Sequence, residues 1–463
     1  MNQTLNSQYD LLPRFFRMAS ISALSNLMVP LATTLSVIFL GHLSEIHHLA
    51  GVALAGNLIN TLYLLLTFLR MGTTGVTAMA VGRDDREAVL LVGLRNGIIA
   101  LGLGIAIIIL QFPLRELGFA LLNAAPEVRA SGITYFNAQV WGAPAVLLNF
   151  VLIGWFLGRE QSSVVLLLSF VSNAVNIALD YLFIVRWGWE STGAGMSQAI
   201  SQCLAVLVGL IFLCKEIQWQ ELRAIAGQIW NPSAFKSIFT LNGDIFLNNF
   251  FLLLAFVIFN YQAAGLGTIT YAENALLLQV LGLCTYFVEG IGFTTETLVG
   301  NSKGKGSGEQ LLPIVGIGVG TSLLVGLSFA GVCLLFPSSV FGLLTNHTEV
   351  TENIDFYLPW LLLMLIFTSV CFSLEGYFIG LGHAHTARNV TLAAIAVGFV
   401  PADIAALQFH SNHFLWLTVC LFMATRMLMF AVKLPSTFGS DIGEGSNLAL
   451  VFEEESVKQV SQD

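Results

Sequence analysis

YFNAQVWGAPAVLLNFVLIGWFLG, residues 135–158, runs for 24 residues without an Asp, Glu, Lys or Arg. A helix needs about 20 apolar residues to cross the hydrocarbon of a bilayer, and backbone groups that cannot be left unpaired there force the crossing to be helical. The segment reads as a membrane span near 130–158. Outward from it, the same rule places spans near 15–40, 50–80, 88–111, 162–185 and 191–214, then near 237–262, 268–298, 311–336, 352–380, 386–408 and 413–433. Polar breaks separate them at RDDRE (83–87), 112–129, GREQ (158–161), KEIQWQELRAIAGQIWNPSAFK (215–236) and NSKGKGSGEQ (301–310). The expected fold class is an all-α polytopic membrane protein with twelve transmembrane helices.

Composition excludes a soluble domain. Of 463 residues 56% are hydrophobic and 10% charged, against about 25% charged in a typical soluble domain. The 43 Gly suit helices that approach closely in lipid. The net charge of −9 carries little information about partners, since Asp441, Glu444, Glu453, Glu454, Glu455 and Asp463 sit in the polar tail; no nucleic-acid partner is expected. Six Cys are scattered singly without metal spacing and are expected to be buried hydrophobes. The start, MNQTLNSQYDLLPRFFRM, lacks the order of a cleaved signal, so the first apolar stretch is expected to be a retained span.

Lys and Arg in the short loops set orientation. With the N-terminus inside, one side collects Arg14, Arg17, Arg83, Arg86, Arg159, Lys215, Arg223, Lys236, Lys303, Lys305, Arg388 and Lys433, and the other only Arg115, Arg129 and Arg186. The expectation is a multi-pass protein of the plasma (inner) membrane with both termini cytoplasmic.

GTTGVTAMAVG (72–82) aligns with GIGFTTETLVG (290–300), GWFLG (154–158) with GYFIG (376–380), and Asp180 with Asp403, at offsets of 218, 222 and 223. The chain is therefore expected to hold two pseudo-symmetric six-helix bundles of the same orientation, 1–214 and 237–433, with a cytoplasmic linker at 215–236 and an acidic cytoplasmic tail at 434–463. In transporters built this way the solute path lies between the halves.

FLRMGTTGVTAMAVGRDD (68–85), YFNAQVWGAPAVLLNFVLIGWFLGRE (135–160), NAVNIALDYLFIVRWGWESTGAG (173–195) and YFVEGIGFTTETLVG (286–300) together resemble the multidrug and toxic compound extrusion (MATE) family, in its DinF-type branch, from about residue 14 to 433. The resemblance implies a V-shaped pair of bundles that expels small organic, often cationic, compounds in exchange for inward Na⁺ or H⁺, with no other cofactor. It assigns Asn176 and Asp180 to a cation site, puts Tyr135 in the cavity lining, and matches Pro30 to a proline whose bend responds to protonation. Three positions depart from the family pattern. Ser36 stands where an acid is usual, Gln198 where Thr is usual, and Gln139 where the branch carries Arg.

The residues carry their own reading. An acid at the centre of a spanning helix costs roughly 2.5–3.5 kcal/mol on insertion scales and is functional by default. Asn173 and Asn176 share a helix face with Asp180, and two amide oxygens beside a carboxylate can hold a hard cation or serve a proton; the bland alternative is that Asp180 reaches the interface or bonds a neighbouring helix. Ser36 reads equally well as a small packing residue. Arg70 and Glu289 hold nearly equivalent places in the two halves and are expected to form a salt bridge or a gate. Asp244, Glu296, Glu375 and Arg95 lie nearer helix ends and read as interfacial. Asn346-His347-Thr348 fits a glycosylation pattern by chance, and His42, His47 and His48 lie in an outer loop without a partner set, so no metal site is expected.

Among function classes, a membrane enzyme would need a catalytic cluster near one interface, and none is present; the chain is not expected to be an enzyme. A lipid-linked oligosaccharide flippase of the same superfamily and a major-facilitator-type carrier stay open as alternatives to an antiporter. The working unit is expected to be a monomer in the lipid bilayer.

Overall fold

The computed structural model describes residues 2–43, 45–120, 124–345, 348–351 and 354–438, with side chains described from Leu11 onward except at Thr348. Twelve of its helices are long and apolar enough to span a membrane. They are α1 Leu11–Gly41, α2 Ile46–Gly82, α3 Arg86–Ile109, α4 Pro126–Gly158, α5 Ser162–Arg186, α6 Glu190–Glu216, α7 Pro232–Gly265, α8 Thr268–Gly304, α9 Gly308–Leu335, α10 Ile354–Gly380, α11 Ala384–Phe409 and α12 Asn412–Thr437. Each coincides with a span read from the sequence, with ends that differ by a few residues. Asn346, His347 and the tail from 439 onward lie outside the described residues.

The chain divides into two compact units. The N-terminal unit is Leu24–Ile238, and the C-terminal unit is the chain from Phe239 on together with the stretch up to Ala23. Leu11, Phe15, Met18 and Ala19 recur at helical spacing, and they pack with Ile291, Leu298, Ile314, Phe378 and Phe430. The first half of α1 thus belongs to the C-terminal core. Sequence pattern identifies the apolar face of such a helix but not the partner that covers it.

Glycines explain why the repeated motifs recur as pairs. A Cβ on Gly154 would lie 2.5 Å from the Arg70 carbonyl oxygen, and one on Gly158 would lie 2.7 Å from that of Thr74. In the C-terminal unit a Cβ on Gly376 would come within 2.3 Å of the Gly292 oxygen, and one on Gly380 within 2.5 Å of that of Glu296. In each unit the Gly-x₃-Gly face of the fourth helix is pressed onto the backbone of the second, a contact that only residues without a side chain allow.

The following turns also match. After α4, the Gln161 amide bonds the Phe156 oxygen at 2.9 Å and the Glu160 amide the Leu157 oxygen at 2.7 Å. After α10, His383 bonds Phe378 at 2.9 Å and Gly382 bonds Ile379 at 2.8 Å. This is the Schellman pattern, in which one residue must be left-handed; here those residues are Glu160 and Gly382.

Candidate cation site in the N-terminal unit

Helix α5 buries a stripe of Val165, Leu168, Ser172, Asn176 and Asp180, spaced three and four residues apart. Its polar end carries the site. Asp180 is 1% exposed, and it accepts a hydrogen bond on each carboxylate oxygen, from the hydroxyl of Ser36 on α1 and from that of Ser197 on α6. Asn176 donates to Ser197 Oγ at 3.2 Å. Below this level, Ser25 Oγ donates to Ser169 Oγ at 2.7 Å. Ser25 to Ser36 and Ser169 to Asp180 are both steps of 11 residues, about 16 Å of helix, so α1 runs parallel to α5 and is tied to it by two rungs.

Each serine has a second acceptor on its own helix. Ser36 Oγ lies 3.1 Å from the Ala32 carbonyl oxygen, and Ser197 Oγ lies 2.9 Å from that of Ala194. A hydroxyl has one hydrogen to give. When Asp180 is an anion both serines can point that hydrogen at it; when a proton or a metal cation occupies the carboxylate, either hydroxyl can turn to its own helix and present a lone pair instead. The site can therefore change its charge without stranding a buried donor.

The residues named from sequence divide as follows. Asp180, Asn176 and Ser36 come together. Gln198 does not face Asp180; its neighbour Ser197 does, and it lies on the small-residue stripe Ala194, Ser197, Ser201 and Ala205 that forms the buried side of α6. That stripe was the available signal, since helix phase rather than position along the chain decides which residue faces inward. Asn173 bonds the Ser169 carbonyl oxygen of its own helix at 2.7 Å. Tyr135 is buried in the N-terminal unit. Gln139 is 3% exposed, and its Oε1 has no hydrogen-bond partner among the described residues. Helix α1 continues unbroken through Pro30, which has no N–H to donate to the preceding turn, while Thr34 Oγ1 donates to the Pro30 oxygen at 2.8 Å. Arg70 and Glu289 belong to different units, each half-buried in its own.

Several acids and bases read as interfacial are in fact buried. Glu375 and Arg426 form an ion pair at 2.9 Å with side-chain exposures of 4% and 0%. Asn248 Nδ2 donates to Glu375 at 2.5 Å, and Thr391 donates to Asn248 Oδ1 at 2.6 Å. Asp244 pairs with Arg388 at 2.5 Å. Arg95, 2% exposed, donates to the linker carbonyl oxygens of Gln228 at 2.8 Å and Ile229 at 3.3 Å. Glu296 is fully buried. Distance from a helix end measures depth but not which way the side chain faces. Asp403 is only half-buried and accepts from Gln262 Nε2 at 2.7 Å. Of the cysteines, Cys203 and Cys214 are exposed rather than buried. Cys203 lines a groove of about 690 Å³ between α4 and α6, with Asn137, Trp141, Met196 and Leu204.

An acid held inside a bundle of apolar spanning helices is costly and rare, and two half-chain repeats of such helices are an architecture of secondary transporters. The MatE family model matches residues 22–182 and 245–404, and the chain belongs to that family. It is 32% identical over 411 residues to DNA damage-inducible protein F of Escherichia coli (strain K12), covering 88% of each chain. It is 22% identical to the probable multidrug resistance protein NorM of Thermotoga maritima, covering 85% of this chain and 86% of that one. Two solved structures share the fold. A multidrug resistance MATE family transporter of the MOP superfamily in an outward-facing conformation superposes with a TM-score of 0.83 at 19% identity, covering 93% and 96% of the two chains. A MOP superfamily transporter from Pyrococcus furiosus Vc1 superposes with 0.82 at 19% identity, covering 92% and 96%.

Proposed function

We propose that this chain is a secondary active exporter of small organic compounds, cations among them, driven by inward movement of H⁺ or Na⁺ through Asp180. The observation that carries the reading is a carboxylate with 1% exposure held by hydroxyls alone, with no Lys, Arg or His among its hydrogen-bond or ion-pair partners in the described residues. Its charge is left for a mobile ion to balance. Relatives named as multidrug resistance and multidrug export proteins support efflux, and a groove of about 690 Å³ lies in the size range of sites for drug-sized ligands.

Loading Asp180 releases one or both serine hydroxyls, and with them the ties of α5 to α1 and α6. Coupling in this scheme is the exchange of those inter-helix bonds for bonds within a helix. Asn176, through Ser197, positions the hydroxyl on α6; Asn173 stands one turn behind as a supporting amide. Both termini are assigned to the cytoplasm on the Lys and Arg asymmetry of the loops.

Reconstitution into proteoliposomes, with ΔpH and ΔpNa imposed separately and a panel of organic cations and anions as solutes, tests the proposal. Uphill solute movement driven by one of the two gradients is expected. Movement that ignores both gradients would defeat it.

A further inference from the structure

We propose that Glu45, His47, His48 and Glu190 form a binding site for a divalent transition metal of the Zn²⁺ class at the end of the N-terminal unit where α1 turns into α2. The sequence places Glu45 beside the two histidines; the fold brings Glu190 to them. His47 Nε2 lies 3.3 Å from Glu45 Oε2, His48 Nε2 lies 3.9 Å from the same oxygen, and His48 Nε2 lies 2.9 Å from Glu190 Oε2. Glu45, His47 and His48 each offer one ligand atom, all within 4.8 Å of one another. Tetrahedral zinc with bonds of roughly 2.0–2.2 Å separates its ligand atoms by about 3.3–3.6 Å. The observed separations bracket that value, so small rotations of exposed carboxylates would complete the shell.

Two further features point to a built site rather than a chance meeting of charges. Ligating imidazoles are oriented by a hydrogen bond at the other ring nitrogen, and His48 Nδ1 lies 2.9 Å from Ser191 Oγ and 3.5 Å from Ser131 Oγ. That leaves Nε2 directed at the carboxylates. Glu190 has φ of +47°, a left-handed conformation that a non-glycine residue rarely holds without a compensating interaction. Two imidazoles with two carboxylates form a borderline donor set, suited to zinc rather than to calcium or magnesium, which favour all-oxygen shells.

The place in the fold gives the site a consequence. Glu45 precedes α2, and Glu190 begins α6, which carries Ser197 two turns further on. A metal here would clamp α2 to the start of the helix that holds one side of Asp180. With the orientation proposed above, the clamp faces the outside, where it would sense external metal; the binding itself does not depend on that orientation or on the proposed transport.

The test uses the full-length protein, purified in detergent with a tag that contains no histidine. Zn²⁺ is titrated in competition with a chromophoric chelator, and Co²⁺ is added to read the visible absorption of a tetrahedral centre. One ion per chain is expected, weakened at least about tenfold by His47→Ala, by His48→Ala and by Glu190→Gln, and unchanged by Cys203→Ser with Cys214→Ser. Wild-type melting temperature should rise with Zn²⁺, and that of the His47→Ala variant should not. His47 and Glu45 are exposed enough that His47→Ala and Glu45→Gln should remain monodisperse even if His48→Ala does not fold. No binding above buffer background, binding that survives His47→Ala and Glu45→Gln together, or binding lost with the two cysteines would each overturn the assignment.

Discussion

In the N-terminal unit the rung that joins α1 to α5 is Ser36 on Asp180, separated by 144 residues in sequence. The corresponding rung in the C-terminal unit joins α7 to α11 through Gln262 and Asp403, 141 residues apart. One level along, Ser25–Ser169 (separation 144) answers to Asn248–Thr391 (143). The scaffold is repeated, while its chemistry is divided. On one side the buried acid has neutral donors only. On the other, one of several buried acids, Glu375, has its counter-charge in Arg426, and Asn248 and Thr391 bond to the pair. A carboxylate with a resident guanidinium has its charge balanced by the protein, whereas one that meets only hydroxyls does not. On the function proposed above, Asp180 would be the exchangeable acid, and Glu375, with its resident guanidinium, a structural one.

The largest effect should come from breaking the C-terminal pair. Arg426→Met leaves Glu375 as an uncompensated buried charge, at a cost of about 3–5 kcal/mol, and should abolish monodisperse protein in size-exclusion chromatography. Glu375→Gln with Arg426→Met should recover much of the loss, since replacing both members of a buried pair is often near neutral. A double variant as unstable as Arg426→Met alone would place the cost elsewhere than in the ion pair.

Asp180→Asn is expected to give the opposite pattern: normal folding and melting with gradient-driven transport reduced to the level of empty liposomes, because shape is kept and exchangeable charge is lost. Asp403→Asn, on a half-buried rung, should retain transport. If Asp403→Asn stops transport and Asp180→Asn does not, the roles of the two units are reversed. Ser36→Asp sharpens the same contrast by adding a second carboxylate against the first; two such groups share protons, so a new pH dependence of transport should appear between about pH 5 and 8.

A smaller effect follows from the turns. After α2 the left-handed residue is Asp84, at φ +58°, and after α8 it is Gly306, at φ +70°, with nothing within 4 Å of the place a Cβ would take. Backbone strain is therefore the main term at Gly306, and the same left-handed geometry applies at Asp84. Asp84→Gly should raise the apparent melting temperature, and Gly306→Asp should lower it, by the equivalent of about 1 kcal/mol or less. Effects of the same sign in both variants would show that side-chain contacts outweigh the turn geometry.

Length and apolarity made all twelve helices legible, because a bilayer imposes both on any spanning segment. Asp180 was legible because an acid in lipid is expensive. Less of the site's surroundings could be read. Ser197 was missed because the match to the family pattern led to Gln198, although the run of small residues at 194, 197, 201 and 205 carried the helix phase. Glu45 is adjacent to His47 and His48 in the chain, but Glu190 could not be joined to them from sequence, since about 140 residues and four helices separate it from them. The pairing of Arg426 with Glu375 depends on how α10 and α12 are rotated about their axes, and helices apolar on every side give no periodic signal of that rotation.

The smallest expected effect lies in the loop after α10, where His383 occupies the turn position that Gln161 occupies after α4. Burial, helped by the neighbouring charges of Lys303 and His385, pushes the His383 imidazole down to about 4. Its unfolded value is near 6.5. As pH falls through 6.5 the unfolded chain gains a proton that the folded chain refuses until about pH 4, so the unfolded state binds more protons throughout that window and stability falls with falling pH. Above pH 6.5 the residue contributes no pH dependence. His383→Gln installs the N-terminal unit's residue and removes the titration; allowing for the partial exposure of the ring, the gain on the acid side should be below about 1 kcal/mol. Melting of wild type and variant, measured from pH 7.5 to 4, should coincide at the upper end and diverge below 6.5, with the variant more stable. Parallel curves over the whole range would mean that His383 titrates alike in both states and that the acid sensitivity of the C-terminal unit arises from its carboxylates.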